Sequence, residues 1–269
     1  MNLPPDFGQT KNEDIPPLCI QTLGNFRVWH EGEEVAATTW KREKALHLFQ
    51  FFITMRRQTA HLHKEQIIDR LWPDIDMDDG DRDFKVALHT INKVIEPDRK
   101  PRTDPLFIQR HGLTYSLAPE LIWIDADAFE NFIAEGNQAV LEDKEEEAIT
   151  LYQKSLDLYQ GDYLPERRYE DWSSAERERI QVLALGLMTT LAELLLTRNP
   201  LESIRLTQRV LTIDPVWENA YRTQMQAYAA QGNRPLAIRT YRRCVEALSN
   251  ELDVEPLPET QALFRKINQ

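Results

Sequence analysis

The sequence predicts an α+β protein, mainly α, in which a small mixed domain leads into an all-α stack of helix pairs. Three observations carry this. Residues 18–40 and 106–117 are rich in β-formers and arranged in short runs. Between them, three stretches place apolar residues at helical spacing. Beyond residue 125 a nine-residue pattern recurs, two of its copies starting 34 residues apart.

In the mixed domain, CIQTLGNFRVWH partly alternates, and EGEEVA supplies a turn and a return strand. A helix is expected from Thr39, because Ala45, Leu46, Leu48, Phe49, Phe52 and Ile53 recur at helical spacing and Thr39 can cap the start. KEQIIDRLW forms a second helix that stops at Pro73, and an acidic loop over 74–80 follows. A third helix is expected over 81–96, capped by Asp79 or Asp81 and stopped by Pro97. Phe84, Ala87, Leu88, Ile91, Val94 and Ile95 share one face of it, while Arg82, Lys85, His89, Asn92 and Lys93 share the other. LFIQRHGLTYSLAP closes the domain as a hairpin turning at His111-Gly112.

Strands, three helices and a hairpin come in the order of a winged helix, whose third helix enters the major groove of DNA. That role requires bidentate donors for base edges and cations for phosphates. Arg82, Lys85, His89 and Asn92 are the expected base contacts, and Lys93, Arg99, Lys100 and Arg110 the expected phosphate or wing contacts. The plain alternative is a surface helix with an ordinary solvated face.

In the second domain, Ala148–Leu156 (AITLYQKSL), Ser203–Leu211 (SIRLTQRVL) and Ala237–Val245 (AIRTYRRCV) align. The interval of 34 residues between the last two is the tetratricopeptide period, and the 55 between the first two leave an excess assigned to an insertion around GDYLPERRYEDWSSAERER. Each copy is read as the second helix of a pair that must stack on its neighbours to bury its apolar face. Trp172 in that insertion is expected to anchor a core between helices.

Composition sets bounds on function. The 269 residues, 42% hydrophobic and 28% charged, suit two domains with proper cores. Cys19 and Cys244 have no metal-ligand spacing and read as packed thiols in a reducing cytoplasm. No apolar run is long enough to span a membrane, and residues 1–17 read as a disordered lead-in. A net charge of −12 argues against a protein that coats nucleic acid indiscriminately. Yet Arg82–Arg110 holds 7 basic and 4 acidic residues, which suits a small, selective footprint.

No phosphate-binding glycine loop, H-E-x-x-H or C-x-x-C occurs, so neither an enzyme nor a cofactor is indicated. His61 and His63 lack a third ligand and read as a feature of a helix junction. The run at 142–147 compensates a helix dipole. The acids of 74–80 lack calcium-loop spacing and the terminal Glu.

Particular segments also carry a family resemblance. LFIQRHGLTYSL resembles the closing hairpin of OmpR-type winged helices, and TTWKREKALHLF, KEQIIDRLWPD and DFKVALHTINKVIEP resemble the three helices of that fold. LYQGDYLPERRYEDWSSAERERI, LTIDPVWENAYRTQMQAYAAQGNRPLAIRTYRRC and ELDVEPLPETQALFRKI resemble the bacterial transcriptional activator domain. Together they are similar to SARP-type activators, with an OmpR-like winged helix over 18–122 and an activator domain of helical repeats over 123–269. The resemblance implies a cytoplasmic activator that docks as a homodimer on direct repeats in double-stranded DNA. It also implies contact with RNA polymerase, for which the acidic loop over 72–80 is the candidate surface. A reading from another class makes the repeats a protein-interaction module, joined to a winged helix that does not bind DNA.

Overall fold

The computed structural model describes residues 16–58 and 61–269, so all but the last two residues of the expected lead-in lie outside the described residues. The chain divides into two compact units, one comprising Met1–Phe129 and Asp157–Gln181, the other Glu130–Leu156 and Val182–Gln269.

The first unit opens with β1 (Leu18–Gln21), β2 (Arg27–His30) and β3 (Glu33–Glu34), paired antiparallel in that order. Glu31 and Gly32 both have positive φ, 49° and 82°, the requirement of the tight turn joining β2 to β3. After a 3₁₀ turn come α1 (Glu43–Met55), β4 (Leu62–His63), α2 (Lys64–Leu71) and α3 (Met77–Ile95). The hairpin is β5 (Ile108–His111) and β6 (Thr114–Leu117), and β7 (Ile122–Ile124) completes the unit's strands. β7 adds to the first sheet parallel to β1, giving the order β3-β2-β1-β7. β4 adds to the hairpin, giving β4-β6-β5. Gly112 turns the hairpin with φ +66° in open space, as the His111-Gly112 signal requires.

Several expectations are corrected. Thr39 lies in a 3₁₀ turn over Ala37–Trp40, and α1 starts at Glu43 with no side-chain cap. Trp40 is buried there and stacks on Phe49 at 5.3 Å, so the apolar anchor sets this turn. α3 begins at Met77 rather than near residue 81, because Asp76 Oδ1 accepts from the amides of Asp78 at 3.0 Å and Asp79 at 3.1 Å. Residues 77–80 of the expected acidic loop are therefore helical.

The core of this unit is aromatic: Phe49, Phe51, Phe52 and Phe84 are buried, and Tyr115 of β6 meets Phe84 at 5.0 Å. Gly80 lets α3 pass α2 closely, since a Cβ there would lie 2.5 Å from Ile68 Cγ2. Residues 157–181 are built into the same unit. Leu23 and Tyr163 form a β-bridge, and Leu164 N donates to Thr22 O at 2.9 Å. Gln50, wholly buried on α1, donates to Glu166 at 2.5 Å and accepts from Arg167 Nε at 2.6 Å. Trp172 is buried, its ring edge-on to Phe51 at 5.6 Å.

Helices α4 (Asp125–Leu141), α5 (Glu145–Leu158) and α6 (Asp171–Leu194) run from one unit into the other. The second unit continues with α7 (Pro200–Ile213), α8 (Glu218–Ala230), α9 (Arg234–Leu252) and α10 (Pro258–Asn268). The three aligned segments fall on α5, α7 and α9. Asn199 and Asn233 cap α7 and α9 by accepting from amides three residues on, at 3.2 and 3.3 Å, and each helix has Pro in its first turn. Gly136 admits the Tyr152 ring between α4 and α5; a Cβ would lie 2.5 Å from it. Buried Gln224 of α8 donates to Thr207 of α7 and accepts from Thr240 of α9, at 3.3 and 3.5 Å. No described helix is long and apolar enough to cross a membrane.

Candidate nucleic-acid interface

α3 buries one face and exposes the other. Phe84, Ala87, Ile91, Val94 and Ile95 are buried. Arg82, Lys85, His89 and Lys93 are exposed. Successive offsets of three, four and four residues align these four side chains in one stripe, about 16 Å long at 1.5 Å per residue. Helix and hairpin share the Phe84–Tyr115 contact, which ties the stripe to the wing.

The N-terminal half of the stripe is internally neutralised. Arg82 pairs with Asp79 and Lys85 with Asp81, each at 2.6 Å, though both cations remain about 70% exposed at the side chain. Asp81 also pairs with Lys64 of α2, and Asp83 with Lys44 of α1. Hydrogen bonds from Lys64 and Lys85 hold the Asp81 carboxyl below its usual range, and the bond from Lys44 does the same for Asp83. These are surface pairs, each contributing about 0–1 kcal/mol to stability. A polyanion can therefore displace them at little cost. They also stitch α1 and α2 to the start of α3.

The C-terminal half is different. Among the described residues no ion pair is formed by Lys93 or Lys100. His89, Lys93, Arg99 and Lys100 line a recess of about 270 Å³ together with Asn92 and Arg102. The fold thus brings together five of the eight expected contact residues. Arg82 and Lys85 lie one to two turns away toward the N-terminus of α3. Arg110 is exposed on β5, its Nε donating to Gly112 O across the turn at 2.8 Å.

Asn92 departs from the expected solvent-facing set. It is only 5% exposed, and its Oδ1 has no hydrogen-bond partner. One turn on, Glu96 Oε1 accepts from the amides of Leu106 at 3.0 Å and Phe107 at 3.3 Å. The segment after Pro97 lies beside the last turn of α3, where Pro97, Arg99 and Lys100 share a recess with Asn92, itself between Leu88 and Ile95 on the helix surface. Arg102, unnamed in the sequence-based set, joins the recess with φ +70°. Its only signal in the sequence is membership of the basic stretch after Pro97.

No group of three or more His, Cys, Asp or Glu is placed to hold a metal among the described residues. His63 caps α2 by accepting from Glu65 N at 3.4 Å. Cys19 and Cys244 are buried, and desolvation pushes both thiols up to about 12.

A winged helix presenting a basic helix face, followed by tetratricopeptide-like helix pairs, defines the class of SARP-type bacterial transcriptional activators. The family model described as "Bacterial transcriptional activator domain" matches residues 124–268, and the chain belongs to that family. It is a family of transcription regulators rather than of enzymes. No curated protein matches the chain. Among solved structures, Mycobacterium tuberculosis EmbR in complex with a low-affinity phosphopeptide aligns with a TM-score of 0.80 at 17% identity. The match covers 94% of this chain and 65% of EmbR, so the chain spans less than two thirds of that protein, and the likeness is one of fold. The Sgt2 TPR domain from Aspergillus fumigatus aligns over 52% of this chain and 76% of its own, at 14% identity and a TM-score of 0.38.

Proposed function

We propose that the chain is a sequence-specific activator that binds double-stranded DNA with α3 in the major groove and the β5–β6 hairpin as its wing. The observation that carries the reading is the exposed stripe Arg82, Lys85, His89 and Lys93 on a helix whose opposite face is buried. Arg82, Lys85 and His89 are assigned to base edges, and Lys93, Arg99, Lys100, Arg102 and Arg110 to phosphates. Asn92 is left out as a base contact because it is covered. Residues 18–122 form the DNA-binding domain and 123–269 the activator domain, which pairs protomers on direct repeats in the cytoplasm. Residues 72–80 face RNA polymerase; Asp74, Asp78 and Asp79 replaced by Ser should lose activation while retaining DNA binding.

The test is selection from random duplex DNA at about 150 mM salt, where weak phosphate contacts are largely suppressed. The expected result is an enriched motif with two half-sites in direct repeat. No enrichment, with no retention even at low salt, overturns the reading. One observation favours the second reading, a protein-interaction module: four carboxylates, Asp78, Asp79, Asp81 and Asp83, sit along the start of α3, and three of them, Asp79, Asp81 and Asp83, occupy its neighbouring cations. That reading predicts no dependence of DNA retention on salt.

A further inference from the structure

A cavity of about 480 Å³ in the first unit lies away from the α3 stripe, where the hairpin sheet and β7 meet the end of α1. That is the size of a small-molecule site. Its floor is apolar, formed by Phe52, Leu62, Tyr115, Leu117, Ile122 and Ile124. Phe52 and Tyr115 are 1% and 5% exposed, so the floor is part of the packed core rather than a loose surface dimple. The polar part of the lining carries four basic side chains, Arg56, Arg57, His61 and His111, against two carboxylates, Asp127 and Glu120.

The two carboxylates are not equivalent. Arg56 binds Asp127 through Nη2 at 2.6 Å and Nε at 3.1 Å, and Arg57 reaches the same carboxylate. Despite burial, these guanidiniums hold Asp127 below the usual carboxylate range. Asp127 is therefore fully engaged within the wall. At the mouth the His61 and His111 rings meet edge to face at 5.1 Å, both on exposed residues, with Glu120 as the opposing acid.

We propose that this cavity binds an amphipathic anion, a carboxylic acid with an apolar aromatic or alkyl body. The body fills the space over Phe52, Tyr115 and Ile124, and the carboxylate lies at the mouth against His61, His111 and the Arg57 side of the Asp127 cluster. Because the wall includes Gln109, Tyr115 and Leu117 of the hairpin together with Ile122 and Ile124 of β7, an occupant contacts both sheets of the unit at once. Occupancy then restrains the hairpin. The assignment does not depend on DNA binding, and neither does its test.

The probe is pyrene-1-butyrate, followed by fluorescence polarisation with the full chain, beside pyrene-1-butanol and pyrenylmethylammonium as neutral and cationic counterparts. The butyrate should bind at least about tenfold tighter than either counterpart, a difference of about 1.4 kcal/mol. His111→Glu and His61→Glu, both at exposed positions, should each weaken it about threefold or more by placing a like charge at the mouth. Ile122→Trp, which fills the floor, should weaken all three probes. Amide exchange across β5 and β6 should slow when the butyrate is bound. Thermal unfolding of each variant identifies any that fails to fold, and the remaining variants then decide. Equal binding of the three probes, no binding of the butyrate at about 1 mM, or unchanged affinity in the folded variants overturns the proposal.

Discussion

The indole N–H of Trp172 donates to Nε2 of His47 at 3.1 Å, joining residues 125 positions apart in the sequence. To accept at Nε2, the imidazole must be neutral with its proton on Nδ1. Desolvation is the main cause lowering the His47 pKa, followed by the Arg167 charge, although Glu170 at 3.5 Å opposes them. With a folded pKa below 6.5, the unfolded chain binds more protons between the two values. The stabilising contribution is thus complete above pH 6.5 and is lost as pH falls to the folded value. Urea titrations from pH 7.5 to 5 should show stability declining over that window. His47→Gln, which keeps an acceptor but does not titrate, should flatten that decline; an unchanged decline assigns it to other groups.

Arg167 meets the amide of Gln50 and the carboxylate of Glu43 on α1, and is itself only 9% exposed. Arg167→Ala should cost about 2–4 kcal/mol, because it strands a buried amide oxygen as well as removing a charge-assisted bond. Its signature should be local, with faster amide exchange over residues 157–181 than over α7 to α9. Uniform loss of protection across the chain would show that these residues do not act as a distinct strap.

Asp125 opens α4 only 2% exposed, accepting from Thr22 N at 2.7 Å, Thr22 Oγ1 at 2.6 Å, Leu23 N at 2.8 Å and Ala126 N at 2.8 Å. Burial outweighs those bonds and pushes its pKa up to about 6 from 3.8. The sign is opposite to that at His47: the folded state holds the extra proton, so this group favours folding at low pH and the contribution is lost as pH rises from about 4 to 6. Asp125→Asn removes that pH dependence, but turns an amide NH₂ toward at least one of the four donors, costing about 1–3 kcal/mol at pH 7. Denaturant midpoints of the two proteins at pH 4.5 and 7 check both effects.

These three sites mark where the sequence was legible and where it was not. Periodicity exposed α1, α2, the body of α3 and the helices α5, α7 and α9, since each needs one continuous apolar face. The hairpin was legible from a turn glycine. β4 and β7 were not, because two or three residues are too short to show alternation and only their pairing partners make them strands. Gln50 reads as a polar interruption of an apolar helix face until Glu166 and Arg167, more than a hundred residues later, supply its partners. Asn92 was placed on the solvent-facing side by helical spacing but is buried, in a recess shared with Glu96, Pro97 and Arg99, a tertiary effect that helical spacing does not encode.

Gly80 sits inside α3, where alanine would ordinarily stabilise the helix by about 1 kcal/mol. Here the added Cβ falls 2.5 Å from Ile68 Cγ2. Gly80→Ala should therefore be net destabilising, by about 1–3 kcal/mol, through separation of α2 and α3. Combining it with Ile68→Ala opens the space, so the double variant should be more stable than the sum of the two single changes. Additive effects in a double-mutant cycle would refute the close approach.

Asp81 binds Lys64 and Lys85 at the N-terminal end of the stripe, so it competes with DNA for both cations. If α3 reads DNA, Lys85→Ala should weaken binding to the selected site by about 1–3 kcal/mol. Asp81→Asn should act in the opposite direction. It removes a negative charge facing the phosphates and leaves Lys64 and Lys85 available, so affinity should rise, most strongly at low salt. The gain should come with a steeper dependence of log K on log salt, because more cations then engage phosphates. Measured by polarisation titrations at several salt concentrations, tighter binding with an unchanged slope would place the effect in base contacts instead. No change in either quantity would remove this end of α3 from the interface and leave the recess of His89, Lys93, Arg99, Lys100 and Arg102 as the part that meets the backbone.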